Sequence, residues 1–142
     1  MYKREAKGEY LNIKKKEVVQ MKIYTSYVAN VEKIKGDYEV ICIALWLPRY
    51  TKAKMLHYPK LAPSKNLLLR YKNKQCNEAD YEKEYLNYLE TLNPNEIIND
   101  LKKMTTKSKI ALICYEKPNA FCHRHLVAKW LNEKCDMAIQ EI

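Results

Sequence analysis

The chain has 142 residues, 26 Lys and Arg against 17 Asp and Glu, a net charge of +9 and 47% hydrophobic residues. That length suits one domain with a real core. No apolar run approaches the ~20 residues of a bilayer span, and the charged N-terminus is unlike a secretory signal. The five cysteines are odd in number and irregular in spacing, which argues against a disulfide framework and for reduced thiols in a cytoplasmic protein.

The charge is unevenly placed. Residues 1–75 hold 17 basic and 6 acidic side chains, a net +11, whereas residues 76–142 hold 9 and 11, a net −2. From Val40 to Gln75 there is no acid, but there are eight bases: Arg49, Lys52, Lys54, Lys60, Lys65, Arg70, Lys72 and Lys74. Trp46, Tyr50, Tyr58 and Tyr71 are interleaved with them. Cations mixed with aromatics suit phosphates and stacked bases. Solubility or genome composition produces the same lysine excess, so both readings stay open at this point.

In chain order, residues 1–20 read as a polar arm containing the triplet Lys14-Lys15-Lys16, and residues 21–142 as a single α/β domain. Lys22 to Ser26 predicts the first core strand, with the hydroxyls of Thr25 and Ser26 at its carboxyl end. There they can contact a ligand or simply cap the next helix. Val28 to Ile34 is a short helix or turn, punctuated by Gly36-Asp37. Tyr38 to Leu45, nearly all apolar, predicts a second buried strand that Pro48 stops. Arg49 to Pro63 has no clear period and reads as a long loop over the strand ends. Ser64 is placed to cap a helix with Leu67, Leu68 and Tyr71 on one face. Asn77 and Asp80 form a variant capping box before a stripe of Tyr81, Tyr85, Tyr88, Leu89 and Leu92, read as core packing. Asn93-Pro94 opens a further helix through Ile97, Ile98, Leu101 and Met104.

The informative stretch is Lys109 to Leu131. Ile110 to Ile113 predicts a strand buried on both faces, a loop broken by Pro118 follows, and a helix begins near Cys122. A last strand is expected at about Met137 to Ile142. Strands alternating with helices argue for a three-layer α/β fold, a small, mainly parallel sheet with helices on both faces.

On a helical wheel starting at Cys122, the apolar residues Leu126, Val127, Trp130 and Leu131 define a buried face. His123 points into that face, Arg124 falls on its flank, and His125 faces solvent. Cys122 sits at the helix start, where partial positive charge and Arg124 favour the thiolate; the alternative is a small buried hydrophobe. His123 is either a general acid/base or a core histidine held by a hydrogen bond. Arg124 has the fork that matches phosphate or carboxylate. Glu116, the only acid in the stretch, can act as acid/base or orient Arg124 through a salt bridge. A strand leading through a loop to a cysteine at a helix start is also the layout of cysteine phosphatases. Those need glycines in the loop, and the two in this chain, Gly8 and Gly36, lie elsewhere. A zinc site from Cys114, Cys122, His123 and His125 is disfavoured, because the two histidines point in opposite directions and the cysteines are eight apart.

The run CYEKPNAFCHRHLVAKWL, with IYTSY (Ile23 to Tyr27) and KLAPS (Lys60 to Ser64), resembles the signature of the bacterial and phage Domain of Unknown Function 488 family. The resemblance spans roughly Met21 to the C-terminus. It implies an α/β architecture and a site at these residues, and it assigns no activity. The expectation is therefore a protein that binds a phosphate-bearing small molecule or nucleic acid at its strand ends, with hydrolase or transferase chemistry. Cys122, Glu116 and His123 are the candidate catalytic residues. Thr25, Ser26, Tyr27, Lys60, Cys114 and Arg124 are the candidate binding residues, Lys60 with the basic loop forming a rim. No metal or cofactor is expected. The alternative is a non-catalytic nucleic-acid-binding module with structural cysteines. An interaction protein, a third class, leaves no signature in the sequence.

Overall fold

The computed structural model describes residues 21–49 and 54–142, so the N-terminal arm and the tip of the basic loop lie outside the described residues. Five strands form one all-parallel sheet: β1 (Lys22–Tyr27), β2 (Glu39–Cys42), β3 (Leu56–His57), β4 (Lys109–Cys114) and β5 (Gln140–Glu141), in the order β3-β2-β4-β1-β5. The central strand β4 pairs along its whole length with β1, from Lys22 opposite Lys109 to Tyr27 opposite Cys114. On its other side it pairs with β2. A strand enclosed in this way must be apolar on both faces, and Ile110, Ala111, Leu112 and Ile113 are all fully buried.

The two faces are covered unequally. Helices α2 (Lys65–Lys72), α3 (Glu78–Glu90), α4 (Pro94–Lys103) and α5 (His123–Cys135) build the main core. It joins Ile23, Ile41 and Leu112 of the sheet to Tyr85, Leu89, Ile97, Leu101, Val127 and Leu131 of the helices. Across the sheet, Val40, Ala111 and Ile113 are covered by the short helix α1 (Val31–Ile34) and the 3-10 turn before it. That makes three layers, one of them thin.

Local signals act as read. Ser64 Oγ accepts the Leu67 backbone N–H at 3.1 Å. Asn77 and Asp80 close a reciprocal capping box, and Asn93 caps α4 with Pro94 at its first position. The tyrosine stripe of α3 is core at Tyr81 and Tyr85 but leaves Tyr88 exposed. The stretch read as an unbroken loop, residues 49–63, contains β3 and a 3-10 turn, Pro59–Leu61. Strand β3 is two residues long and gains order only by pairing with the edge of β2, so it carries no periodic signal of its own. The last strand is likewise only Gln140–Glu141, beside β1.

The strand order places the site. The chain leaves β2 toward β3 on one side and leaves β4 toward β5, beyond β1, on the other. Neighbouring parallel strands whose connections diverge open a crevice at their carboxyl ends. Here it lies between Cys42 and Cys114.

Candidate functional site

A cavity of about 420 Å³ occupies that crevice. Its walls come from Ala44, Leu45 and Trp46 after β2, Tyr115 and Glu116 after β4, Pro63, Leu68, Tyr71 and Lys72 of the α2 region, and Tyr81 of α3. Phe121, Cys122 and His123 enter from the start of α5, with Cys114 beside them. The aromatic side is ordered by its own contacts. Tyr81 meets Phe121 edge-on at 5.1 Å between ring centres, and Tyr71 lies 5.2 Å from Tyr81 and 5.5 Å from Phe121. Trp46 stands half-exposed at the mouth.

The floor is two thiols and an imidazole. His123 is 4% exposed, and its Nε2 lies 2.9 Å from the Ile43 carbonyl oxygen. A carbonyl only accepts, so Nε2 carries a hydrogen and Nδ1 is the ring atom left to the thiols. That Nδ1 faces Cys114 Sγ at 3.4 Å and Cys122 Sγ at 4.0 Å. Tyr85 packs edge-on against the same ring.

Cys122 is the N-cap of α5 in extended conformation, with no side-chain cap bond. Its sulfur is held well below the usual thiol range. The hydrogen bond from Cys114 is the main cause and prevails over burial, helped by His123 and the Arg124 backbone N–H. Cys114, as the donor to Cys122 and itself buried, is pushed the opposite way. Of the two sulfurs, Cys122 is therefore the one that ionises first. A third thiol, Cys42, packs beside them and is raised by burial. All five cysteines are unbridged.

The nine candidate residues fall into separate groups. Cys114, Cys122, His123 and Glu116 share the cavity, with Glu116 exposed on its rim. Arg124 does not line it. Its side chain is fully buried and bonded to Glu141, Nη2 to Oε2 at 2.8 Å and Nε to Oε1 at 3.1 Å. The carboxylate that holds Arg124 is therefore Glu141 rather than Glu116, because β5 folds over the flank that the wheel left open. Thr25 and Ser26 belong to the same cluster. Thr25 Oγ1 donates to Glu141 Oε1 at 2.6 Å and Ser26 Oγ to the Ile142 carbonyl at 3.0 Å. These hydroxyls tie down the C-terminal strand instead of standing opposite Cys122 across a ligand. Tyr27 ends β1 in register with Cys114 and is not in the cavity lining. Lys60, exposed on the 3-10 turn, is also off the rim, with its carbonyl accepting from Tyr88 Oη at 2.7 Å. His125 is half-buried rather than solvent-facing, and its Nε2 has no hydrogen-bond partner among the described residues.

Sequence reasoning missed the walls. The stripe position of Tyr81 signals packing alone, and it packs while also lining the cavity; Tyr71 and Trp46, two of the aromatics interleaved with the bases, line it too. Phe121, the one phenylalanine in the chain, directly before the cysteine at a helix start, was the signal available. The eight-residue spacing also argues against convergence of Cys114, Cys122 and His123, yet their Sγ and Nδ1 atoms lie within 4.8 Å of one another. His125 is not needed for that convergence.

The structure is thus an all-parallel α/β protein with two thiols and a histidine at its switch-point crevice. The family model described as the active DUF488-N3 subclade (DUF488-N3a) matches residues 23–135, and the chain belongs to the DUF488 family. No curated protein and no solved structure matches it. Among the described residues, no helix is long and apolar enough to cross a membrane.

Proposed function

We propose that this protein is an enzyme acting on a nucleotide or on nucleic acid, taking the base into the cavity at the β2–β4 crevice and using Cys122 for hydrolysis or group transfer. The observation that carries this reading is the cavity itself. Tyr71, Tyr81, Phe121 and Trp46 offer ring faces and edges on one side, and a thiol pair with an imidazole forms the floor. A planar heteroaromatic ring fits such walls, and base–aromatic stacking contributes about 1–3 kcal/mol per base. Phosphates would lie outside, on Lys72 at the cavity edge and Arg49 in the adjoining groove with Trp46 and Tyr115. The buried, Glu141-paired Arg124 is not part of this contact.

In this scheme the Cys122 sulfur attacks an electrophilic carbon of the bound ligand and displaces the leaving group. Cys122 attacks as the thiolate that the Cys114 S–H stabilises, with His123 Nδ1 beside it, and the leaving group departs with its bonding electron pair and takes a proton from water. Glu116, on the rim, then takes a proton from water or another acceptor as that acceptor displaces the sulfur.

The test is a titration with nucleosides, nucleoside 5′-monophosphates and short single-stranded oligonucleotides, followed by the fluorescence of Trp46, with products examined by mass spectrometry. Quenching is expected to weaken roughly 10-fold in Phe121→Ala, about 1.4 kcal/mol of lost stacking. Cys122→Ala should keep binding and lose turnover. Turnover unaffected by Cys122→Ala would refute the catalytic role. Binding that depends on charge across residues 49–74 and ignores both the aromatic walls and Cys122 would instead favour a non-catalytic nucleic-acid-binding module.

A further inference from the structure

We propose that Cys114, Cys122 and His123 form a three-ligand site for zinc, with the fourth coordination position open to the cavity. Four observations converge on it. The three ligand atoms lie within 4.8 Å of one another in a buried cluster. On a tetrahedral zinc with Zn–S of about 2.3 Å and Zn–N of about 2.0 Å, sulfur and nitrogen ligands are about 3.5 Å apart. The His123 Nδ1 distances of 3.4 and 4.0 Å to the two sulfurs bracket that value, and the sulfurs lie within 4.8 Å of each other against about 3.8 Å on such an ion, so side-chain adjustments of at most about 1 Å complete the geometry. The imidazole is also oriented for the task. Its Nε2–H donates to the Ile43 carbonyl, the outer-sphere partner that metal-bound histidines usually have, and it leaves the Nδ1 lone pair aimed at the thiols. Finally, all three residues line the open cavity, and Cys42, the thiol packed beside them, lies outside the group of converging ligand atoms with its sulfur directed to the Trp46 carbonyl at 3.9 Å. Three protein ligands and an exchangeable position characterise catalytic rather than structural zinc.

The backbone accounts for the convergence of residues eight apart. Cys114 ends the central strand, and Cys122 and His123 begin the helix that returns over the same strand end. The loop between them therefore closes on itself. Nitrogen and thiolate ligands select zinc, cobalt or copper over magnesium or calcium.

This inference stands on geometry and does not require the covalent role proposed for Cys122. The two exclude each other in a given molecule, because a thiolate bonded to zinc is no longer a free nucleophile. They can therefore fail separately.

The test begins with metal-free protein titrated with Co(II) as a spectroscopic stand-in. One equivalent is expected to bind, with an intense near-ultraviolet thiolate-to-cobalt band and the visible bands of a tetrahedral ion, displaced by zinc. Cys114→Ser, Cys122→Ser and His123→Gln should each weaken binding by more than about 100-fold, beyond the 10- to 100-fold typical of losing an outer-sphere partner. Cys76→Ser and Cys135→Ser should leave it unchanged. Mass-mapped alkylation of the unaltered chain provides a test that does not depend on the variants folding. One equivalent of zinc should protect Cys114 and Cys122 but not Cys76 or Cys135. Absence of the thiolate band, or equal alkylation of Cys122 with and without zinc, would overturn the proposal. Ready alkylation of Cys122 in metal-free protein tests the nucleophile reading alone.

Discussion

Replacing Glu141 by Gln is expected to destabilise the fold far more than its place one residue from the C-terminus suggests. The Arg124 side chain is fully buried, whereas that of Glu141 is 23% exposed. The carboxylate accepts from Arg124 Nε and Nη2 and from Thr25 Oγ1. Arg124 Nη1 already lacks a partner among the described residues. Removing one member of a buried pair usually costs about 3–5 kcal/mol, because the other charge stays buried without compensation. Solvent at Glu141 reduces this, and Gln retains an acceptor, so about 2–3 kcal/mol is expected here. With a urea slope of about 1–3 kcal/mol per M for a small protein, the midpoint should fall by roughly 1–2 M. Arg124→Met made in the Glu141→Gln background should cost less than in the unaltered chain, because the charge left unpaired has gone. The effect should also depend on pH. Burial pushes the Glu141 carboxyl up, but hydrogen bonds from Arg124 and Thr25 and the Arg124 charge outweigh it, so its pKa is lowered on folding. A depressed folded pKa contributes stability above the unfolded carboxylate value of about 4.3, and the contribution disappears as pH falls through the folded value. The gap between the parent and Glu141→Gln should therefore be full at neutral pH and shrink in acid. Equal urea midpoints at pH 7, or a gap that widens toward low pH, would refute the argument.

Two further outcomes follow from the packing. Tyr85→Phe removes a hydroxyl that donates to the Leu61 carbonyl at 2.5 Å in a fully buried position. Urea denaturation should show a loss of about 1–2 kcal/mol, and a neutral result would mean that the carbonyl finds another donor. Ser64→Ala deletes the α2 cap to Leu67 and should cost about 1 kcal/mol by thermal or chemical denaturation, with Ser64→Gly costing only a few tenths; equal losses would place the cap's contribution elsewhere.

Much of the fold was legible because its signals are local. An unbroken apolar run at Ile110 to Ile113 implies a strand with neighbours on both sides, and a cap residue followed by a periodic stripe implies where α2, α3 and α4 begin. The order strand, loop, cysteine, helix likewise pointed to the family and to the crevice at the end of β4, since it lies within one continuous stretch. Strand β3 was not legible in the same way, and of the last strand, expected over Met137 to Ile142, only Gln140–Glu141 forms. Two residues have no period, and each becomes a strand only because an edge of the sheet is there to receive it.

By itself, the sequence determined the parallel α/β class, the helix starts, and the inward direction of His123, because backbone geometry repeats over a few residues and side-chain type follows it. Only the tertiary structure decided which groups meet. It paired Arg124 with Glu141 across 17 positions, gave Thr25 and Ser26 to the C-terminal strand, brought Tyr71 and Tyr81 from separate helices to the cavity, and set His123 under the Ile43 carbonyl 80 residues away. Such partners are set by strand order and register, which the pattern of apolar residues along the chain leaves open.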